Sequence, residues 1–521
     1  MLSVKRFNLA FVILTTIVQF AAAQAISPVK LTVNEKQALK PYAPGILGFN
    51  FDWTGQQSVV NKGELQLRPD LLQLLRGFPI NLSRISGTSS QYLSWKKAIG
   101  PLAGRSPQKL EKWCGPYVVK YGPVEWIKHV QTIDQKAKFI WCVNLMEDPQ
   151  EAADLAEFLT GDPDKPRGKG VNWAARRVEL GIKQPVSIYA WELGNESDGT
   201  DAYNNYPTIQ SYIERCRKVT EAIRRVDPGA RFAAQASTMN HQKDYKEKYG
   251  GDWSIWHQTV LKELGSEIDF LVYHPYFGNK HFTGTQPDNS FFSIRQKMME
   301  RDIQKITGGN RIRFLITEYG FWPEKASGQA KWEQSWYTTH ALIGCLSVAD
   351  WINRMIMSPS VAAANMHCLS SGPWGVYYTS QRDDAGKNQP SAPYLTGQAD
   401  LFRLINRCFA QGKDVVDTKV TGDSTNLEAK GGSFSAGVVT TPTGLGILLV
   451  NQENSARKLE FSAQSRYTLS SWQCLTGNSL DARNDSKRRE IQTATNPRKP
   501  GEFRSFEMPP HSVVALFLTR I

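Results

Sequence analysis

The chain has 521 residues, of which 41% are hydrophobic and 21% charged, an ordinary balance for a globular protein. This composition excludes collagen-like, coiled-coil and disordered classes, and the length allows one large domain plus a smaller one. The formal net charge is +13 at pH 7. No nucleic-acid-binding motif accompanies the basic residues, so we expect no nucleic acid partner. The charge is compatible with an acidic polysaccharide.

Residues 1–23, MLSVKRFNLAFVILTTIVQFAAA, have the pattern of a secretory signal peptide. Lys5 and Arg6 form a basic start, an apolar run follows, and residues 21–23 supply the small side chains of a cleavage site. Cleavage after Ala23 is favoured over cleavage after Ala25. We therefore expect a secreted or periplasmic protein. No later segment is long and apolar enough for a membrane span, so we expect no stable membrane insertion.

Apolar, β-rich runs alternate with amphipathic stretches over residues 46–400. A strand-like segment within residues 24–45 precedes them and is expected to join the C-terminal domain. The helical stretches show apolar spacing of three and four. Eight runs are predicted strands: ILGFNF, NLSRIS, KFIWCVN, SIYAWELGN, RFAAQAS, DFLVYHPYF, RIRFLITEYG and INRMIMS. Eight alternations of strand and helix predict a (β/α)8 TIM barrel.

Over residues 401–521 the pattern changes to short alternating strands. Gly, Asn, Asp and Pro separate runs such as DVVDTKVT, FSAGVVTT, GILLVNQ, KLEFSA, YTLSSWQCL, RSFEMPP and SVVALFLTRI. This pattern is typical of a β-sandwich. The fold predicted from the sequence is therefore α/β, a TIM barrel with a C-terminal all-β sandwich domain.

Barrel enzymes carry their chemistry at the carboxyl ends of their strands, and these ends are polar or aromatic here. The fourth strand ends in Asn195 and Glu196, and the seventh ends in Glu318. Two carboxylates on opposite sides of a barrel mouth can converge on one glycosidic bond. Either glutamate alone could instead form a salt bridge to Arg84 or cap a helix, but the pair favours catalysis. Further strand-end candidates for sugar binding are Asp52, Trp53, Arg84, Trp141, Asn144, His274 and Tyr276.

We expect neither a metal ion nor another cofactor. The seven cysteines are widely spaced and include no CxxC, and the strand ends hold no cluster with the spacing of metal ligands. Cys142, Cys216 and Cys345 lie inside apolar patterns, where a thiol is usually a small buried hydrophobe.

Several of these segments resemble a known enzyme group. WELGNE resembles the Asn-Glu signature of clan A retaining glycoside hydrolases, and LITEYG resembles their nucleophile strand. LSRISGTSSQYLSWKKAIGPLAGR, YGPVEWIKHVQ and MPPHSVVALFL are similar to segments of the α-L-arabinofuranosidases. Members of that family join a barrel to a C-terminal β-sandwich. The likeness spans most of the chain in separate pieces.

The resemblance implies a role for each matching residue. Glu196 would be the general acid/base and Glu318 the nucleophile of a double displacement. The supporting residues would be Asn195 at the sugar hydroxyl beside the anomeric carbon, Tyr276 and Arg84 at the nucleophile, His274 in the pocket lining and Trp322 in an aromatic wall.

Two departures from the family pattern bear on the sugar. The turn after Arg84 reads Ser-Gly-Thr where the family has Gly-Gly-Asn, and the first strand carries Asp52 beside Trp53 where the family has Glu.

We expect an α-L-arabinofuranosidase-like hydrolase of plant or algal polysaccharide, with an oligo- or polysaccharide partner that is neutral or acidic. Three alternatives stay open: a heparanase-like β-glucuronidase, which YAWELGNE and the positive charge suggest, an endo-acting glucanase or xylanase, and a non-catalytic carbohydrate-binding protein.

Overall fold

The computed structural model describes residues 28–52, 67–109, 116, 118–168, 170–198, 206, 208–237, 252–278, 289–323, 329, 331–370, 372–383, 385–422, 433–496 and 501–521. The predicted signal peptide and Trp53 lie outside these residues, and Asp52 is described by its backbone alone. Among the described helices, none combines the length and the hydropathy that crossing a bilayer requires.

Eight parallel strands close into a barrel. The first ten strands in chain order are β1 (Val29–Pro41), β2 (Gly48–Asp52), β3 (Leu82–Ser86), β4 (Lys138–Val143), β5 (Ile188–Leu193), β6 (Phe232–Gln235), β7 (Phe270–Val272), β8 (Tyr276–Phe277), β9 (Arg313–Phe321) and β10 (Val361–Met366). Strand β10 pairs with both β2 and β9 and so closes the ring, while the short β8 runs beside the end of β9. The barrel predicted from the sequence is confirmed.

Helices connect the barrel strands. They are α1 (Pro69–Leu75), α2 (Pro123–Ile133), α3 (Pro149–Thr160), α4 (Trp173–Glu179), α5 (Ile209–Val226), α6 (Ser254–Leu264), α7 (Asn289–Thr307), α8 (Leu342–Met357) and α9 (Gly397–Phe409), and a longer 3-10 helix spans Trp332–Thr339. In α5 the buried residues Tyr212, Cys216, Val219 and Ile223 follow the spacing of three and four that turns one face to the barrel.

The eighth barrel strand is not the predicted one. The run INRMIMS, residues 352–358, forms the end of α8, and the strand is β10, VAAANM. Helix α8 packs against both domains: Trp351 contacts Phe277 of the barrel, and Asn353 donates to the Leu448 carbonyl of the sandwich at 3.2 Å. A helix that is buried on both sides is apolar all round, so its sequence pattern resembles that of a buried strand. Strand β10 is mostly alanine and lacks the bulky residues that mark strands.

A hairpin of β11 (Tyr377–Arg382) and β12 (Asn388–Leu395) precedes α9 and the C-terminal domain. The later strands are β13 (Asp414–Thr421), β14 (Phe434–Thr440), β15 (Gly444–Asn451), β16 (Arg457–Ala463), β17 (Tyr467–Thr476), β18 (Gln492–Asn496), β19 (Ser505–Met508) and β20 (Ser512–Arg520). With β1 they form one hydrogen-bonded order, β18-β17-β20-β15-β14-β13-β1-β16-β19. Leu31, Phe434 and Leu516 lie in their shared core. The C-terminal β-sandwich is confirmed, while the boundaries at 45/46 and 400/401 stay predictions.

Candidate active site

Glu318 is a buried carboxylate in the second half of β9, 5% exposed. Its Oε1 accepts a hydrogen bond from Arg84 Nη1 at 2.7 Å, and its Oε2 accepts one from the Tyr276 hydroxyl at 2.6 Å. His274 and His367 lie 3.8 and 3.7 Å from Oε2. Burial alone would raise the pKa of Glu318, but the neighbouring imidazoles and guanidinium outweigh burial and hold that pKa well below its ordinary value. Glu318 is therefore ionised at neutral pH.

Glu196 stands on the turn that follows β5. Gly194 and Glu196 both have positive φ angles, 79° and 44°. Such a backbone is uncommon for a residue with a side chain, and it is found most often at functional sites. The turn brings Glu196 Oε1 to 3.0 Å from His274 Nδ1. The side chain of Glu196 keeps 22% of its surface exposed, so a ligand can reach this carboxylate.

Arg84 connects Glu318 to a second buried carboxylate, Glu192. The guanidinium binds Glu192 at two points, Nε to Oε2 at 2.5 Å and Nη2 to Oε1 at 2.9 Å. Nη2 also donates to Asn195 Oδ1 at 2.8 Å, and Gln235 donates to Glu192 Oε1 at 3.0 Å. Burial raises the pKa of Glu192, but the charge of Arg84 outweighs burial and lowers it. Arg84 has no exposed surface and its described bonds go to protein groups, so it supports the site by holding Glu192 and Glu318. As a sugar contact it stays a prediction.

His274 donates a hydrogen bond through Nε2 and shares a hydrogen bond with Glu196 through Nδ1. Its Nε2 lies 2.8 Å from Thr317 Oγ1, whose own hydrogen is donated to Glu192 Oε1 at 2.7 Å. Since a hydroxyl has a single hydrogen, Nε2 must be the donor to Thr317. The other nitrogen, Nδ1, faces the carboxylate of Glu196. Burial alone would lower the pKa of His274, but the three neighbouring glutamates, Glu318 foremost, outweigh burial and raise it to about 9.

The two glutamates chosen from the sequence meet in the structure. One carboxylate oxygen of Glu196, one of Glu318 and a ring nitrogen of His274 all lie within 4.8 Å of one another. Three such atoms could hold a metal ion, but ligation by His274 needs a ring lone pair. Nε2 carries a proton, and Nδ1 is engaged with Glu196 in a hydrogen bond that holds another. The arrangement therefore suits proton transfer better than metal binding, and the expectation that no metal is bound stays a prediction.

Aromatic rings form one side of the site. Trp322 stands edge-on to Tyr276, with ring centroids 5.8 Å apart, and Trp332 stacks on Trp322 at 5.6 Å. Trp374 lies 5.2 Å from Tyr276 and 5.7 Å from Trp322. Flat apolar faces with polar edges of this kind suit the C–H face of a sugar ring.

Sequence reasoning missed several residues of the site. His367 and Trp374 lie on the segment after β10, and this segment was overlooked because the eighth strand was predicted in the wrong place. Glu192 had a usable signal, since it is a charged residue inside the otherwise apolar strand run SIYAWEL, and a buried charge needs a partner. Thr317 directly precedes Glu318 in the chain, but its contact with His274 depends on the fold.

Trp141 and Asn144, predicted at the end of the third strand, have other contacts. Trp141 is buried and packs on Trp126, with ring centroids 5.6 Å apart. Asn144 hydrogen-bonds to the backbone of Leu93 and Met146, at 3.2 and 2.9 Å. The first residue packs the barrel wall and the second braces a loop. As sugar contacts, both stay predictions.

Comparison with known proteins supports the resemblance carried by the motifs. A family model described as the alpha-L-arabinofuranosidase 1 domain matches residues 80–285. An intracellular exo-α-(1→5)-L-arabinofuranosidase of Streptomyces lividans is 29% identical over 215 residues, 40% of this chain and 30% of that protein. A protein of the same name from Bifidobacterium longum is 24% identical over 270 residues, 49% of this chain and 44% of that protein. The chain thus spans less than half the length of these curated relatives.

The fold matches that of a solved relative. The structure of an α-L-arabinofuranosidase from Thermotoga maritima, an arabinose complex, is similar with a TM-score of 0.74 at 19% identity. The match covers 95% of this chain and 100% of that chain. The resemblance to α-L-arabinofuranosidases inferred from the motifs is confirmed, with the barrel and the sandwich in the same chain order.

The predicted secreted or periplasmic location is wrong on these comparisons. Five relatives, including those of Streptomyces lividans and Bifidobacterium longum, are named intracellular. Cys142, Cys216 and Cys345 are buried thiols, as their apolar surroundings in the sequence indicated. A basic start, an apolar run and small residues are a local pattern, and residues 1–23 lie outside the described part of the chain.

Proposed function

We propose that this protein is a retaining glycoside hydrolase acting on an α-L-arabinofuranoside or a closely related sugar of an oligo- or polysaccharide. The observation that carries the proposal is the pair of Glu318, buried and ionised, and Glu196, accessible and within 4.8 Å of it. Retaining enzymes place their two carboxyl groups about 5–5.5 Å apart, whereas inverting enzymes leave about 6.5–9.5 Å for a water. The short separation supports a double displacement.

In the first step, a carboxylate oxygen of Glu318 attacks the anomeric carbon. The bond from that carbon to the leaving oxygen breaks, and Glu196 gives its proton to that oxygen. A glycosyl ester on Glu318 results. Arg84 and Tyr276 support this step because their hydrogen bonds hold the attacking carboxylate ionised and in place.

In the second step, a water molecule attacks the anomeric carbon and the ester bond to Glu318 breaks. Glu196 removes a proton from that water and returns to its acid form. His274 supports both roles of Glu196, because its Nδ1 lies 3.0 Å from Glu196 Oε1. When the proton of that hydrogen bond is on Glu196, the carboxyl group can act as the acid. When the proton is on His274, the carboxylate of Glu196 can act as the base.

The sugar is proposed from the relatives, which are named α-L-arabinofuranosidases. A β-glucuronidase needs a cation to bind the carboxylate of its sugar, and Arg84 would be one candidate. Arg84 is fully buried and bonded to Glu192 and Glu318, so it gives that alternative no support. Carbohydrate binding alone does not require a buried carboxylate to be set within 4.8 Å of an accessible one, whereas a double displacement requires such a pair. The geometry therefore favours catalysis.

Release of 4-nitrophenolate from a panel of aryl glycosides tests the proposal. We expect hydrolysis of the α-L-arabinofuranoside by the wild type and its loss in Glu318→Gln, with the β-D-glucuronide, β-D-xyloside and β-D-glucoside as comparison substrates. Proton NMR of the first product should show a retained anomer. An inverted product would exclude the double displacement, and hydrolysis of the glucuronide alone would favour the β-glucuronidase. If no glycoside is hydrolysed, the proposal is wrong.

A further inference from the structure

A cavity of about 670 Å³ lies where the β11–β12 hairpin, the 3-10 helix Trp332–Thr339 and the sandwich segment 483–488 meet. Its volume is within the range of small-ligand sites, about 300–1,000 Å³. None of the residues described above as holding Glu196 or Glu318 lines this cavity. It is therefore a separate site, built from both domains.

The cavity adjoins the active site through one short segment that follows β10. His367, on this segment, lies 3.7 Å from Glu318, and Trp374 packs on Tyr276. Ser370 and Gly372, between those two residues, line the cavity. The same short segment therefore contacts the active site at His367 and Trp374 and lines the cavity at Ser370 and Gly372, which makes the cavity adjacent to the active site.

Aromatic rings continue from the active site to the cavity. Trp322 stacks on Trp332 with centroids 5.6 Å apart, and Trp332 meets Trp336 edge-on at 5.2 Å. Trp336 lines the cavity, as do Tyr378 and Tyr394. Rings of this kind offer flat surfaces on which sugars stack, which makes a further unit of the same chain a suitable occupant.

Four cationic side chains line the cavity: Arg382, Arg483, Lys487 and Arg488. The Arg382 guanidinium lies 3.8 Å from the ring centre of Trp336, and that of Arg483 lies 4.1 Å from the ring centre of Tyr337. A guanidinium held flat on a ring is oriented in advance, and its planar donors match a carboxylate. The cations thus favour an anionic group on the sugar.

The cavity also contains three carboxylates, Glu333, Asp383 and Asp485. Two of them hold their own turns. Asp485 Oδ1 accepts from the backbone N–H of Lys487 and Arg488 at 2.7 and 2.9 Å, and Asp383 Oδ1 accepts from two backbone N–H groups at 3.0 and 2.9 Å. Asp485 Oδ2 also lies 3.7 Å from Arg483 Nε and 3.9 Å from Arg488 Nε. Four cations and three carboxylates leave the lining with one positive charge in excess, which favours an anionic group.

We propose that this cavity binds a carboxylate-bearing sugar unit of the polysaccharide whose neighbouring glycosidic bond is cleaved between Glu196 and Glu318. The inference rests on the proposed function for the identity of the polymer. Lys487 and Arg488 belong to the basic run SKRRE, residues 486–490, and the inference gives this run a role.

Binding to a catalytically inactive full chain tests the inference. Isothermal titration calorimetry on Glu318→Gln compares a galacturonic acid trimer with a neutral galactose trimer. We expect the acidic trimer to bind more tightly. Adding Lys487→Glu and Arg488→Glu should weaken binding of the acidic trimer by about 10-fold or more, the effect of one lost charged hydrogen bond. The affinity for the neutral trimer should not change. Both side chains are exposed, and the turn at Asp485 uses their backbone, so the fold should persist.

A matched control reverses two distant charges on the same background. Lys262 of α6 and Lys305 of α7 are exposed, and Lys262→Glu with Lys305→Glu should leave both affinities unchanged. Equal losses in the two double variants would overturn the inference, because the effect would then be one of net charge. Equal binding of the acidic and neutral trimers would overturn it as well. Since binding needs no turnover, failure of the proposed hydrolysis would be seen separately in the aryl glycoside assay.

Discussion

Arg84 and Glu192 form a two-point ion pair inside the barrel, with Nε–Oε2 at 2.5 Å and Nη2–Oε1 at 2.9 Å. Bidentate pairs of this kind set the orientation of a guanidinium. With Nε and Nη2 directed to Glu192, Nη1 points to Glu318 at 2.7 Å. Glu192 is thus a positioning residue, because it orients the cation that keeps the proposed nucleophile ionised.

Glu192→Gln should lower kcat by on the order of 10²-fold, because a guanidinium that loses an anchor places Glu318 less accurately. It should also move the alkaline limb of the pH–rate profile to lower pH. Glu192 is one of the carboxylates that raise the pKa of His274, and the proton that His274 shares with Glu196 is the one that the first step needs. Both effects are measured on an aryl arabinofuranoside across the acid and alkaline range.

The matched control is Glu125→Gln. Glu125, in α2, forms a buried ion pair with Arg105 at 2.7 Å, so this variant damages a similar pair away from the site. It should lower the free energy of unfolding and leave the pH–rate profile in place. A Glu192→Gln enzyme that is slower without a shift of the alkaline limb would contradict the positioning role.

Glu196→Ala should separate the two steps of the proposed mechanism. Natural substrates should slow by about 10²–10⁴-fold, the usual contribution of positioned acid–base catalysis. An activated dinitrophenyl glycoside should still form the glycosyl-enzyme, because its leaving group hardly needs a proton, and the enzyme should then stall. Added azide, which needs no base, should restore turnover and give a glycosyl azide of retained configuration.

Glu318→Ala is the companion variant. It should lose the covalent step itself, so a good leaving group should not restore activity. Azide that rescues this variant and gives an inverted product would support Glu318 as the nucleophile. Wild-type rates in both variants would show that the pair is wrongly assigned.

His274 should stabilise the fold in a pH-dependent way. Its pKa is raised to about 9 in the folded protein, against about 6.5 for an unperturbed histidine. A group whose pKa is higher in the folded than in the unfolded protein stabilises the fold by its full amount at pH values below its unfolded pKa. This contribution is lost as the pH rises through its folded pKa. The Tm difference between wild type and His274→Gln should therefore shrink from neutral pH to about pH 9 and stay constant above it.

His129→Gln is the contrasting variant for this measurement. Burial lowers the pKa of His129 to about 4, so its ring is neutral throughout the alkaline range. Its Tm difference from wild type should not change between neutral and alkaline pH. A constant difference for His274→Gln over the same range would show that His274 is not protonated in the folded protein.

Chelation should leave activity intact. The atoms of Glu196, His274 and Glu318 that lie within 4.8 Å of one another include a ring nitrogen of His274. Nε2 donates to Thr317 and Nδ1 is hydrogen-bonded to Glu196, so the ring has no spare lone pair for a metal. Hydrolysis of an aryl glycoside is measured before and after exhaustive treatment with EDTA. Loss of activity that a divalent cation restores would show that one of the carboxylates is a metal ligand.

Local sequence patterns determined much of this protein. Alternation of apolar runs with amphipathic helices was sufficient for the barrel, and short alternating strands were sufficient for the sandwich. Glu196 and Glu318 could be chosen because the carboxyl ends of all parallel barrel strands open onto one face. Two residues at strand ends are therefore predicted to lie near each other, although the sequence gives no distance between them. The same reasoning failed at strand β10, whose small residues carry no strand signal, while the buried helix α8 carried a false one.

The tertiary structure alone decided how the strand ends act on one another. Arg84 and Glu192 are 108 residues apart in the chain, and nothing local to either residue shows that they pair. The proton on His274 Nε2 follows from the position of Thr317, and the raised pKa of His274 follows from three glutamates around a buried ring. The charged cavity joins Arg382 of the hairpin to Arg488 of the sandwich. Electrostatic interaction depends on distance and burial, and both exist only after distant segments have packed together.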